Sequence, residues 1–274
     1  MKHISVINDA LKVKILDFLY EDELFNVFLI HFIENQIEDV GELYITESHG
    51  SITSILHTKF DGNSYFTNFF YKKQEGLMEI IEQLKTLNYN KILLSGKRKE
   101  VAQIVSSIGE KELSAPDIYY KFHMNKCPSQ TLLPHVTFRR ATDSNEDVSY
   151  ISNFLIGFFE PTNEQDIEDL ISRKKLLEDL KIGIYFLQYN GQVVGMARFS
   201  GKTKNYVDIT TVYIDPKYRG KGFGKRLMEH MVQIIILENR IPVTQTSSLN
   251  KIARKTYESL GFIKQGDYSF EFIS

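Results

Sequence analysis

TTVYIDPKYRGKGFGKRL, residues 210–227, is the stretch on which the reading of the fold turns. It begins with the two-residue alternation of a strand, stops at Asp215-Pro216, and runs through a glycine-rich loop into the 3.6-residue periodicity of an amphipathic helix. Glycines at 220, 222 and 224 remove side chains, so successive backbone N–H groups can converge on an anion at the helix start, where the helix dipole also favours negative charge. Arg219, Lys221, Lys225 and Arg226 strengthen that field. A phosphate-bearing ligand is the guest this composition predicts.

Spacing narrows the choice. A P-loop needs four residues between its first glycine and its Gly-Lys pair, followed by Ser or Thr; here Gly220 and Gly224-Lys225 enclose three, and Arg226 follows. A dinucleotide fingerprint needs G-x-G-x-x-G, whereas these glycines fall at G-x-G-x-G.

Around this loop the pattern is regular. Upstream lie a strand at 136–140, helices within 144–159 and 163–180, and a hairpin about Asn190-Gly191, a pair suited to a two-residue turn. A strand at 206–214 leads into the loop. Downstream follow a helix over about 222–238, a strand at 241–246, a helix at 251–260 and a closing strand near 268–273. The first half shows a similar order: helix in 8–34, three strands within 42–70, helix 75–87, strand 91–94, helix 99–108 and strand 118–123. Ser48-His49-Gly50 and Asp61-Gly62-Asn63 mark the turns of that meander. The break around Asn125–Thr131 and Pro134 divides the chain into 1–126, a linker at 127–135, and 136–274.

The segment Arg219-x-x-Gly222-x-Gly224 resembles the cofactor motif of the GNAT superfamily of N-acetyltransferases, (Gln or Arg)-x-x-Gly-x-(Gly or Ala). A second block, Asn250-x-x-Ala253-x-x-x-Tyr257-x-x-x-Gly261-Phe262, is similar to that family's later helix. The resemblance covers about residues 136–274. It implies an α/β (α+β) fold of two tandem GNAT-like domains, each a mixed, largely antiparallel sheet flanked by helices, the first a degenerate copy. There the corresponding loop, Tyr71 to Leu77, holds one glycine and an acid.

The same resemblance implies acetyl-CoA as co-substrate. Val212, Tyr213 and Ile214 would offer main-chain groups to the pantetheine arm, and Arg219, Gly220, Lys221, Gly222, Phe223, Gly224 and Lys225 would cradle the pyrophosphate. Asn250 would hydrogen-bond the cofactor, and a backbone N–H near Val212 would face the oxyanion. Tyr257 is the expected acid at the leaving sulfur, with a packing role as the alternative. Some relatives carry glutamate five residues before the motif asparagine; here that position is Gln245, which takes no proton at neutral pH. Asp208, Glu160 or a water chain is then the base. The implied reaction is direct attack by an amine of a small molecule or peptide on the acyl thioester, and the alternative is a non-catalytic acyl-CoA sensor.

Composition excludes less. A net charge of −2 gives no overall pull toward nucleic acid or an anionic membrane, and neither is expected as a partner; a homodimer is left open. The seven histidines form no H-E-x-x-H or similar pairing, so no metal is expected. The single cysteine, Cys127, excludes an intrachain disulfide and reads as a spectator thiol. Apolar runs too short for a signal peptide or a span lead to the expectation of a cytoplasmic protein.

Overall fold

The computed structural model describes residues 1–35, 41–60, 64–87, 89, 91–109, 112–126 and 133–273. The Asp61-Gly62-Asn63 turn and Cys127 lie outside the described residues. In chain order the elements are β1 (Lys2–Ile4), α1 (Asp9–Leu19), α2 (Val27–Glu34), β2 (Glu42–Ser48), β3 (Ser51–Phe60), β4 (Tyr65–Tyr71), α3 (Gln74–Thr86), β5 (Ile92–Lys97), α4 (Arg98–Ile108) and β6 (Asp117–Phe122). There follow β7 (Val136–Arg140), α5 (Asn145–Phe159), α6 (Glu164–Leu170), α7 (Arg173–Ile182), β8 (Ile184–Tyr189), β9 (Gln192–Lys202), β10 (Tyr206–Ile214), α8 (Phe223–Leu237), β11 (Ile241–Ser247), α9 (Lys251–Leu260) and β12 (Phe262–Ile273).

Two compact units emerge from the contacts: one of Met1–Ile118, Ser247–Leu249 and Gly266–Ser274, the other of Tyr119–Thr246 and Asn250–Gln265. In the first, strands run in the order β1-β2-β3-β4-β5-β12. β2, β3 and β4 form the antiparallel meander, and β4 pairs with β5 in parallel. The C-terminal residues of β12 complete this sheet, pairing antiparallel with β5 from Tyr268↔Lys97 to Ile273↔Ile92. A division of the sequence at 127–135 groups residues 268–273 with the second half; their hydrogen-bond partners lie in the first unit. Alternation identifies a strand, but only packing selects the edge it joins.

The second unit has the strand order β6-β11-β10-β9-β8-β7. Asn190 (φ 51°) and Gly191 (φ 79°) make the two-residue turn between β8 and β9, closing at Tyr189↔Gln192. α8 covers the sheet with Phe223, Leu227, Met228, Met231, Val232 and Ile235, all buried at helical spacing. Ser144 caps α5 by accepting from the Asp147 N–H, and Gly261 in the left-handed region ends α9.

Both units repeat one geometric device. β10 pairs in parallel with β11 over four residues, Tyr206↔Ile241 to Ile209↔Thr244, and the ladder then ends although β10 continues to Ile214. β4 and β5 do the same, from Tyr65↔Ile92 to Asn68↔Ser95, with β4 continuing to Tyr71. Past the last pair the strands part, and main-chain groups on their facing edges are left for another partner.

Candidate active site

The splay of β10 from β11 is shaped by two irregularities in β10's other ladder, with β9. Between Asp208↔Gly201 and Ile209↔Phe199, β9 carries an extra residue, Ser200; between Thr210↔Arg198 and Tyr213↔Met196, β10 carries one. The second bulge holds Thr211 at φ 50°, a left-handed conformation that costs an L-residue roughly 1–2 kcal/mol. A bulge at this position turns the following residues, Val212 to Ile214, relative to the rest of β10.

Gly195 is the close-packing partner of that segment. A Cβ there would stand 2.4 Å from Ile214 Cδ1 and 2.6 Å from the Tyr213 carbonyl oxygen, which is backbone and cannot rotate away. Gly195→Ala is therefore expected to destabilise the protein by about 1–3 kcal/mol. Thermal unfolding checks it; an unchanged midpoint would show that β10 is free to retreat.

Beyond Ile214, Asp215 accepts from the Lys217 N–H (2.9 Å) and fixes a turn of 3-10 helix at Pro216–Tyr218. Gly220 and Gly222 then take φ of 78° and 79°. A Cβ at either would meet nothing within 4 Å, so glycine is required there by backbone conformation rather than by crowding. Gly222 is also the N-cap of α8 and supplies no side-chain acceptor, which leaves the first-turn N–H groups of α8 facing outward. Arg219 donates from Nε to the Ile214 carbonyl (2.9 Å) and lies 5.3 Å from the centre of the Tyr213 ring, while Lys221 lies over the Tyr218 ring at 5.3 Å. Phe223, buried and 5.1 Å from the Tyr189 ring, anchors the helix start. Uncapped amides, two left-handed glycines and flanking cations suit a diphosphate.

The equivalent place in the first unit lacks these features. Lys73, the N-cap of α3, is extended, and a Cβ on Gly76 would meet Tyr71 Cβ at 3.1 Å and Ser54 Cβ at 3.2 Å. Gly76 serves helix-to-strand packing, and no left-handed glycine lies between β4 and α3. A small cleft at the parting of β4 and β5 is lined instead by Asn68, Ser95, Gly96 and the Asp22–Lys97 ion pair.

Around the β10–β11 parting, three side chains act on one another. Asp208 is fully buried on β10 and receives a hydrogen bond from Ser200 Oγ; its Oδ1 has no partner. Burial pushes its carboxyl up to about 7, against the opposing pull of Ser200 and of the Arg198 charge. Tyr257 projects from α9, 7% exposed, and its hydroxyl is a hydrogen-bond partner of Thr244. Burial pushes the phenol up to about 12, and the nearby Asp208 and Tyr120 charges act in the same direction. Thr244 Oγ1 donates to the Ile209 carbonyl at 2.8 Å, so it sits at the last rung before the strands part. Gln245, the next residue, has a buried Oε1 without a partner.

The other sequence-derived positions stand apart from this cluster. Asn250 is the N-cap of α9 and its Oδ1 accepts from the Ala253 N–H (3.1 Å), which commits the oxygen to the helix and leaves the amide donor for a ligand. Glu160 is exposed at the C-cap of α5, in the left-handed region, beside the half-exposed Phe158 and Phe159. Its charge is not among those acting on Asp208 or Tyr257. Thr244, Ser200 and Thr211 carry no local signal that sequence reading could use, since hydroxyl residues in strands are ordinary and their partners lie on other strands. Among the described residues, no three His, Cys, Asp or Glu side chains gather as a metal site, and no helix is long and apolar enough to cross a membrane.

Residues 149–262 match the acetyltransferase (GNAT) family. N-acetylaspartate synthetase from Danio rerio is 37% identical over 79 residues, 28% of this chain and 28% of that protein, so the match spans little more than a quarter of the relative's length. Among solved structures, a tandem GNAT protein from the clavulanic acid biosynthesis pathway superposes with a TM-score of 0.68 at 11% identity, covering 99% of this chain and 97% of the other. A GNAT-family acetyltransferase from Colwellia psychrerythraea gives 0.63 at 13% identity over the whole of both chains. At such identities the structural matches establish the fold, a tandem one, and no more.

Proposed function

With an acetyltransferase (GNAT) domain over residues 149–262 as the premise, we propose that this chain transfers an acetyl group from acetyl-CoA to the amine of a small molecule or peptide. One observation carries the reading: an uncapped helix start behind two left-handed glycines lies in the same unit as a strand parting that holds a buried carboxyl and a buried phenol. Arg219 to Lys225 bind the diphosphate through main-chain N–H groups and cations. Val212 to Ile214 carry the pantetheine arm along the free edge of β10, with the Asn250 amide as a further partner. Acetyl-CoA is the co-substrate, and the reaction as written calls for no metal.

In the reaction a neutral amine attacks the thioester carbonyl carbon, a C–N bond forms, and the C–S bond breaks. Asp208, ionised above about pH 7, takes the amine proton. Because its side chain is fully buried, that proton travels through an intervening water. Tyr257 stays protonated throughout the ordinary pH range, so it serves only as a donor. With a phenol at about 12 it stabilises the departing thiolate by hydrogen bonding rather than by an early loss of its proton. A main-chain N–H at the bulge near Val212 faces the oxyanion.

A thiol-release assay against a panel of amines, aspartate and other amino acids included, tests the proposal. Acceptor-dependent release of CoA is the expected result; tight acetyl-CoA binding with no acceptor-dependent release would support a sensor instead. Tyr257→Phe is expected to reduce kcat on the order of 10- to 100-fold while leaving acetyl-CoA affinity within about threefold. An unchanged kcat would assign Tyr257 to packing.

A further inference from the structure

We infer that Arg198 is the positioning residue of this site, holding the β10 bulge in the conformation that aims the main chain at the thioester. The inference rests on the acetyl-transfer reading for its catalytic half. Arg198 lies on β9 and faces Thr210 in the β9–β10 ladder, immediately before the bulge. Its Nε donates to Thr211 Oγ1 at 2.9 Å, and its NH1 is paired with Asp179 of α7. Both members of that ion pair are largely buried, with side chains 15% and 14% exposed. One guanidinium thus joins a helix, a strand and the one bulge residue whose φ is positive.

The physical logic is that of a brace. Left to itself, a threonine at φ 50° relaxes toward the extended region, which would turn Val212 away. A planar guanidinium fixed at one end by Asp179 offers its Nε in a single direction, so the Thr211 hydroxyl is held only when the backbone is left-handed. Lysine can keep the ion pair, but its single nitrogen, held at Asp179, cannot also reach Thr211 as a second nitrogen of the planar fork does. Arg198 also acts electrostatically on Asp208, favouring its ionised form, which adds a second route by which it serves the same reaction.

The site's two halves should then respond differently. Arg198→Met is expected to lower kcat on the order of 100-fold, because the main-chain donor is displaced. KM for acetyl-CoA should stay within about threefold, because the diphosphate loop is untouched. Arg198→Lys should lose kcat similarly while keeping more of the thermal stability. Glycine adopts φ 50° without strain, so Thr211→Gly in the Arg198→Met background should restore kcat to within about tenfold of wild type and raise the unfolding midpoint above that of Arg198→Met. Additive losses in the double variant, or an Arg198→Met enzyme with raised KM and intact kcat, would overturn the assignment. If the wild-type protein turns over no amine, the acetyl-transfer reading fails by itself. The stability rescue by Thr211→Gly still decides whether Arg198 holds the bulge.

Discussion

Asp208→Asn is expected to lower kcat/KM roughly a thousandfold, the scale of a lost general base, while the protein still binds acetyl-CoA. The wild-type kcat profile should carry an inflection near pH 7, where burial has placed the carboxyl, with activity falling about tenfold per pH unit below it; the asparagine variant should lose that inflection. Stability gives an independent readout with a definite sign. Because the folded-state carboxyl titrates near 7 and the unfolded one near its ordinary 3.8, the native state holds the extra proton between those values. Stability contributed by this group is therefore greatest below about pH 4, declines as pH rises toward 7, and is level beyond it. Asp208→Asn should flatten that decline. A variant that keeps both its activity and the inflection near pH 7 would move the base elsewhere, to water or to Glu160.

Gly222→Val should weaken cofactor uptake strongly with little damage to the fold. Nothing within 4 Å meets a Cβ at 222, so the cost to folding is the left-handed φ alone, roughly 1–2 kcal/mol. The added side chain would project from the N-cap of α8 into open space, where the diphosphate is proposed to bind. Acetyl-CoA affinity is expected to fall on the order of 100-fold, about 2.7 kcal/mol, in calorimetry, with the circular dichroism spectrum retained. Uptake at wild-type affinity would mean that the diphosphate binds elsewhere, and the assignment of the loop would go with it.

The loop is legible in the order of its residues. Glycine at 220 and 222 is a statement about φ, Asn190-Gly191 about a turn, and Asn250 with Gly261 about the two ends of one helix; each depends on a few consecutive residues. The meander of the first half, and the lack of a glycine loop there, are legible for the same reason. The proposed catalytic cluster is legible only in part. Asp208 and Tyr257 can be named from position along the chain, but Thr244 between Tyr257 and the Ile209 carbonyl cannot, because its partners come from α9 and β10. Nor does the alternation of residues 206–214 reveal that one residue of the strand is extra.

Amino-acid order suffices for whatever local stereochemistry dictates: where the chain turns, where a helix may start, and which backbone amides are left open for an anion. Packing had to choose which sheet receives residues 266–273, to set the titration of Asp208 near neutrality, and to hold Thr211 left-handed against a guanidinium from the neighbouring strand. Those properties arise from desolvation and from contacts between segments distant in the chain, and no window of neighbouring residues contains them.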